Sequence, residues 1–347
     1  MAEIPTPDPE PPVPLRFRLL FLGFSLALSF GVAELLIRKL DGGALPHLSI
    51  FAEDPNRGII LRAGATDRVR RADGVPFTVE TDETGLRRSS TPARDWLVVG
   101  DSQVLGWGVS AEDSFAGRLG LRNAGVPGYG LPDALRDAEQ RCRQPGIRAI
   151  LVIVNQANDW EEAELPVEDR FHVNGGWLIR RRAETRSRLE LWWSSPLPHF
   201  HVLYLASMLL TLDAPGAATL PAEAPPAWMQ DPAGQAPLSA KLAHRINAFA
   251  ALHPDIRVVT AFLPVDVATG EARVAASPFG PAARAVPHPP WSDSSLYDQV
   301  RAALHGPLLD LRPALSKHPE AFQERDYHLS AEGHRLVAQA LETELSP

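Results

Sequence analysis

Ser102 ends the run Gly100-Asp101-Ser102, directly after the apolar stretch Trp96-Leu97-Val98-Val99. The pattern predicts a strand over 96–100 with a hydroxyl at its carboxyl end, the edge where open α/β sheets carry their chemistry. A serine needs a base to become a nucleophile. Of the 11 histidines, His328 has the most suggestive context, Arg325-Asp326-Tyr327-His328-Leu329-Ser330, a loop ahead of a helix signal. Asp326 is a carboxylate that could accept from the other ring nitrogen and fix the tautomer. Acyl transfer also needs donors for a developing oxyanion. The glycine-rich loop Gly125-Val126-Pro127-Gly128-Tyr129-Gly130 can turn the Gly128 N–H inward, and Asn158 offers a side-chain amide. The Ser102 N–H is a third candidate donor.

Each of these residues also has a plain structural use. Gly-Asp-Ser can be a turn and helix start, a histidine before a helix can pack, and Asn158-Asp159 can cap a helix. Asp101 reads as a brace for the turn. Trp107 either walls a pocket or packs. His334 falls on the terminal helix, at its surface or in the core. His199 with His201, and His244 with His253, show no third ligand at a recognisable spacing, so no metal site and no cofactor are expected. The single cysteine, Cys142, excludes an internal disulfide and reads as a helix-packing residue.

The elements that must position these groups alternate along the chain. Strands are expected at 96–100, 120–123, 148–154, 256–264 and 308–311. Helices are expected at 111–119, 132–143, 240–252 (capped by Ser239) and 331–345 (capped by Ser330). The strand 148–154 is apolar on both faces, as buried parallel strands are. The alternation predicts a mostly parallel sheet with helices on both faces. The segments 213–238 and 278–290, both proline-rich, read as surface loop and irregular rim.

Four regions are expected: a disordered acidic, proline-rich tail over 1–18, an anchor over 19–37, a lead-in segment with a small hairpin over 38–95, and a catalytic-type domain over 96–347. The stretch Leu19–Ile37, as a helix, would be roughly 28 Å long against a bilayer core of about 30 Å. Glu34 interrupts it within a turn of the far end, where it could reach the headgroups. Basic residues flank both ends, so charge does not fix the orientation. The net charge of −8 argues against nucleic acid as a partner.

Together, Gly100-Asp101-Ser102, Asn123-x-Gly125-x-x-Gly128, Ala157-Asn158-Asp159 and His328-Leu329-Ser330-x-x-Gly333-His334 resemble, in order, the four blocks of the SGNH, or GDSL-type, hydrolases. The resemblance spans about 95–345. It implies a flavodoxin-like three-layer α/β/α sandwich with a central parallel sheet, here with one N-terminal transmembrane helix. It puts the nucleophile on Ser102, the base on His328, and the oxyanion donors on Ser102, Gly128 and Asn158. Two positions depart from the usual pattern. Arg325 stands where aspartate is usual, which leaves Asp326 as the candidate orienter, and Gln156 replaces a frequent glycine. The resemblance implies cleavage of a small acyl or acetyl ester, of a lipid or a glycan, without a cofactor. The N-terminal anchor looks like that of bacterial inner-membrane, single-pass members whose domain faces the periplasm. Two alternatives stay open: an O-acyltransferase of an envelope or exported polysaccharide, and a non-catalytic membrane-tethered scaffold that keeps the fold.

Overall fold

The computed structural model describes residues 14–40, 48–71, 75–156, 159, 165–180, 200, 202, 232–264, 274–275, 284–285, 295–316, 318–323 and 328–345. Chain order gives helix α1 (Leu15–Leu40), hairpins β1 (Phe51–Asp54)–β2 (Gly58–Leu61) and β3 (Thr66–Arg70)–β4 (Pro76–Glu80), then β5 (Trp96–Gly100), α2 (Ser102–Leu105), α3 (Phe115–Leu119), β6 (Arg122–Gly125), α4 (Leu131–Arg141) and β7 (Ala149–Asn155). A turn α5 (Val167–Arg170) leads into the hairpin β8 (Phe171–Asn174)–β9 (Trp177–Arg180). There follow α6 (Pro232–Leu252), β10 (Arg257–Leu263), the short pair β11 (Val274–Ala275)–β12 (Arg284–Ala285), α7 (Ser295–Ala303), β13 (Leu308–Asp310), α8 (Arg312–Leu315) and α9 (Ala331–Glu342).

The central sheet has five strands, all parallel, in the order β13-β10-β7-β5-β6. In chain order of its members this is 2-1-3-4-5, the flavodoxin-like arrangement, with its switch point between β5 and β7. Every residue of β5 and β7 is buried, which is why both read as continuous apolar runs. Successive side chains alternate between two cores. Leu97, Val99, Ile150, Val152 and Val154 join α4 and α6 on one face. Val98, Leu151, Ile153, Val259 and Ala261 join α3 and α9 on the other. The result is a three-layer α/β/α sandwich.

The lead-in segment holds two hairpins rather than one, and Ile50, Phe51, Ile59, Leu61, Val69, Phe77 and Val79 enter the first core. Ser239 does not cap a helix. It is buried inside α6, where its hydroxyl donates to Gln299 Oε1 at 2.8 Å. The helix runs through Pro237 back to Pro232, so the end of the expected 213–238 loop is helical. The rest of that loop, most of the expected 278–290 rim and the tail over 1–13 lie outside the described residues. The expected helix over 111–119 is helical only from Phe115, behind its Ser114 cap.

Helix α1 begins at Leu15, ahead of the expected anchor, and takes in the end of the expected tail. It is long and apolar enough to cross a membrane over Leu15–Lys39. Leu20 and Phe21 stand with most of their surface exposed. Glu34 is not left to reach outward. It is buried, accepts from Arg38 Nε at 2.7 Å, and accepts from the Val202 N–H at 3.0 Å. Phe200 meets Phe30 edge-on at 5.4 Å. Pairing of this kind lowers the high cost of a carboxylate in a membrane segment.

Candidate active site

Ser102 is the first residue of α2, a single turn at the carboxyl end of β5. Asp101 caps that turn, one oxygen accepting from the Gln103 N–H at 2.8 Å. Its other oxygen accepts from Asn155 Nδ2, at the end of β7, at 2.6 Å. Asp101 thus braces the turn, as its position suggested, and ties β5 to β7 at the switch point. Gly106 ends α2 in the left-handed region (φ 82°), a conformation costly for a residue with a Cβ.

A helix of one turn leaves most of its carbonyls without helical partners. Arg87 meets that need from the lead-in segment. Its buried guanidinium donates to the carbonyls of Leu105, of Gly106 at 2.8 Å and of Val109 at 2.6 Å. Burial lowers its pKa to about 10, so it stays charged at neutral pH. Asn123 adds to this support, its Nδ2 donating to the Val104 carbonyl at 2.8 Å and its Oδ1 accepting from the Gly125 N–H at 2.9 Å. Sequence reasoning misses Arg87, because nothing in Gly85-Leu86-Arg87-Arg88 separates the buried arginine from its neighbour.

His328 comes from the loop before α9, and its Nε2 lies 2.7 Å from Ser102 Oγ. The loop is fastened on two sides. The Leu329 N–H donates to Gln103 Oε1 at 3.0 Å, so the residue after the serine holds the residue after the histidine. The Gln323 N–H donates to the His328 carbonyl at 2.9 Å, and Gln323 Nε2 donates to the Trp107 carbonyl at 2.7 Å. Trp107 lies beside the imidazole, ring centres 5.9 Å apart, and is itself met edge-on by Phe77 at 5.3 Å. A hydroxyl and an imidazole in this relation have the geometry for general-base activation.

Gly128 sits at φ 87° in the loop after β6. Among the described residues, no acceptor takes the N–H of Gly128 or of Ser102. Two amides left open on the loops after β5 and β6 are the kind of donor an oxyanion site needs. Asn158 and Asp326 lie outside the described residues, as do His199, His201 and Arg325. Asp159, next in sequence to Asn158, closes the turn after β7, accepting from the Asn155 N–H at 2.6 Å.

The remaining candidates go elsewhere. His334 is fully buried in the core, stacked on Phe115. Cys142 ends α4 with its Sγ 3.6 Å from His253 Nδ1. Among the described residues there is no group of three or more histidine, cysteine or acidic side chains that could hold a metal ion.

No family model matches this chain, and no curated protein matches it. Several solved structures do. A member of the lipolytic protein G-D-S-L family from Veillonella parvula matches at 11% identity, covering 72% of this chain and 97% of that one, with a TM-score of 0.35. A GDSL-like lipase from Bacteroides thetaiotaomicron matches at 12% identity over 72% and 86% of the two chains, with a TM-score of 0.36. A carbohydrate acetylesterase family member from Sinorhizobium meliloti matches at 12% identity over 72% and 96%, with a TM-score of 0.38.

Proposed function

We propose that this chain is a membrane-anchored serine ester hydrolase of the SGNH type, with its sheet domain outside the cytoplasm. His328 Nε2 takes the Ser102 proton as Oγ attacks an ester carbonyl carbon. The carbonyl oxygen becomes an oxyanion that accepts from the Ser102 and Gly128 N–H groups and the Asn158 amide. The C–O bond to the alcohol then breaks, and the imidazolium gives its proton to that oxygen. Water, deprotonated by His328, then attacks the acyl carbon, the bond from that carbon to Oγ breaks, and the imidazolium returns its proton to Oγ, which releases the acid and restores the serine. Asp326 orients the imidazole in this scheme.

The observation that carries the reading is the 2.7 Å contact between His328 Nε2 and Ser102 Oγ. It favours catalysis over a scaffold, which has no need to join residues 226 positions apart on one hydroxyl. The order of the four sequence blocks adds independent support. Transfer of the acyl group to a sugar hydroxyl uses the same acyl-enzyme and differs only in the acceptor. Turnover of short p-nitrophenyl esters by the wild type and Ser102→Ala tests the reading. Loss of turnover in the variant is expected, whereas equal turnover would remove Ser102 from the mechanism.

A further inference from the structure

The hairpin β8–β9 stands over Gly128. A Cβ placed on that glycine would meet Leu178 Cδ2 at 3.0 Å and Phe171 Cε2 at 3.5 Å. Cross-strand pairs share a face, and so do alternate residues of one strand. Val173 pairs with Leu178, and Phe171 is two residues before Val173. Phe171, Val173 and Leu178 therefore share one face, with Arg180, the partner of Phe171, at the end away from the turn, and each of the three apolar residues is only partly buried against the core.

This face is firmly held. The turn Gly175-Gly176 has φ 59° and 91°, the double positive φ of a tight two-residue hairpin turn. The Gly176 carbonyl accepts from the Phe51 N–H at 2.9 Å, which fixes the hairpin to β1. At the base, the buried Asp133 accepts from the Val167 N–H and from Arg170, both at 3.0 Å. The same carboxylate accepts from the Gly130 N–H at 3.2 Å. One side chain thereby joins the base of the hairpin to the Gly128 loop. Arg136 closes the group, bonding Asp133 at 3.0 Å and Glu168 at 2.7 Å.

We propose that the face of Phe171, Val173 and Leu178 is the acyl-chain subsite of the Ser102 centre, taking a linear apolar acyl group longer than acetyl. The proposal rests on the reading of Ser102 and Gly128 above. An ester whose carbonyl oxygen docks at the Gly128 N–H has this apolar surface beside it. Along Val173 and Leu178, a charged or hydroxylated acyl group would lose hydrogen bonds to water without replacement. Each added methylene against such a surface instead gains binding in the transition state.

The test uses the detergent-solubilised full chain with p-nitrophenyl acetate and octanoate, read as the ratio of their kcat/KM values. The wild type is expected to favour octanoate. Leu178→Ala is expected to lower the octanoate-to-acetate ratio about 10-fold, the order seen when a pocket loses contact with a methylene or two. Phe171→Leu, which keeps the face apolar should Leu178→Ala not fold, is expected to lower it about 3-fold by the same argument. His172→Ala, on the opposite face of the strand, is expected to leave the ratio as it was. An unmoved ratio in Leu178→Ala and Phe171→Leu, or a parallel fall for both esters, overturns the subsite and leaves the Ser102 reading standing. A wild type no more active than Ser102→Ala on either ester overturns the Ser102 reading itself, and the subsite with it.

Discussion

His328 and His334 lie on either side of the Ser330 cap, and both are buried. They are nevertheless different chemical objects. His328 sits on a loop at the sheet edge, and its Nε2 faces the Ser102 hydroxyl at 2.7 Å. His334 sits inside α9, its ring stacked on Phe115 with centres 5.6 Å apart and its Nδ1 accepting from the Phe115 N–H at 3.3 Å. Its Nε2 has no partner among the described residues. Burial, and next the nearby charge of Arg87, lowers its pKa to about 3. Burial alone therefore does not distinguish the two. They differ in the backbone that brings each, a loop that reaches an open edge for His328 and a helix that keeps His334 inside.

The difference between the two is challenged most severely at Ser102 and His328. Ser102→Ala and His328→Gln should each lower kcat on a turned-over ester by about 10⁴-fold or more, and the double variant should be no worse than either, because the proposed mechanism makes the two a unit. Additive losses in steady-state kinetics would mean that they do not. Arg87→Met should cost about 3 kcal/mol in chemical denaturation, since it orphans several buried carbonyls around α2.

His334 is tested through pH. Its neutral form is favoured in the folded state, with a pKa of about 3 against 6.5. As pH falls below 6.5 the unfolded chain takes up a proton that the folded chain refuses, so stability is lost progressively toward pH 3. Between pH 6.5 and 5 the loss is about 2 kcal/mol. His334→Gln should flatten this part of the stability curve, measured by denaturant titration at several pH values, and leave kcat within a few-fold. The smallest effect is expected for Gln103→Leu, which removes the acceptor for the Leu329 N–H. A loss of about 1 kcal/mol and a several-fold fall in kcat, with KM little changed, is the expected result.

The two histidines also show how far the fold and the site are legible in the sequence. Strands β5 and β7 are readable because burial on both faces demands unbroken apolar runs, and Ser330 because a cap is a local device. The pairing of His328 with Ser102 follows from a loop position before a helix and from the order of the motif blocks. The role of Arg87 does not, because it is set by carbonyls that only the folded chain gathers. Pro237 reads as a break, and a proline inside a helix costs about 3 kcal/mol. Packing of the buried Gln235, Ser239 and Leu242 outweighs that local preference, so α6 begins earlier than expected. In β8–β9 the hairpin signal Asn174-Gly175-Gly176 is present but sits within a charged and aromatic stretch that hides its short period-2 pattern.

Covalent labelling asks most plainly whether Ser102 is a nucleophile activated by His328. A fluorophosphonate is added to the full chain in detergent, and the modified residue is located by peptide mass spectrometry. Attack by Oγ on phosphorus expels fluoride and leaves a phosphonyl group on the serine. A single adduct is expected on Ser102, absent from Ser102→Ala and formed far more slowly by His328→Gln. An adduct on another residue, or none on the folded wild type, would contradict that assignment.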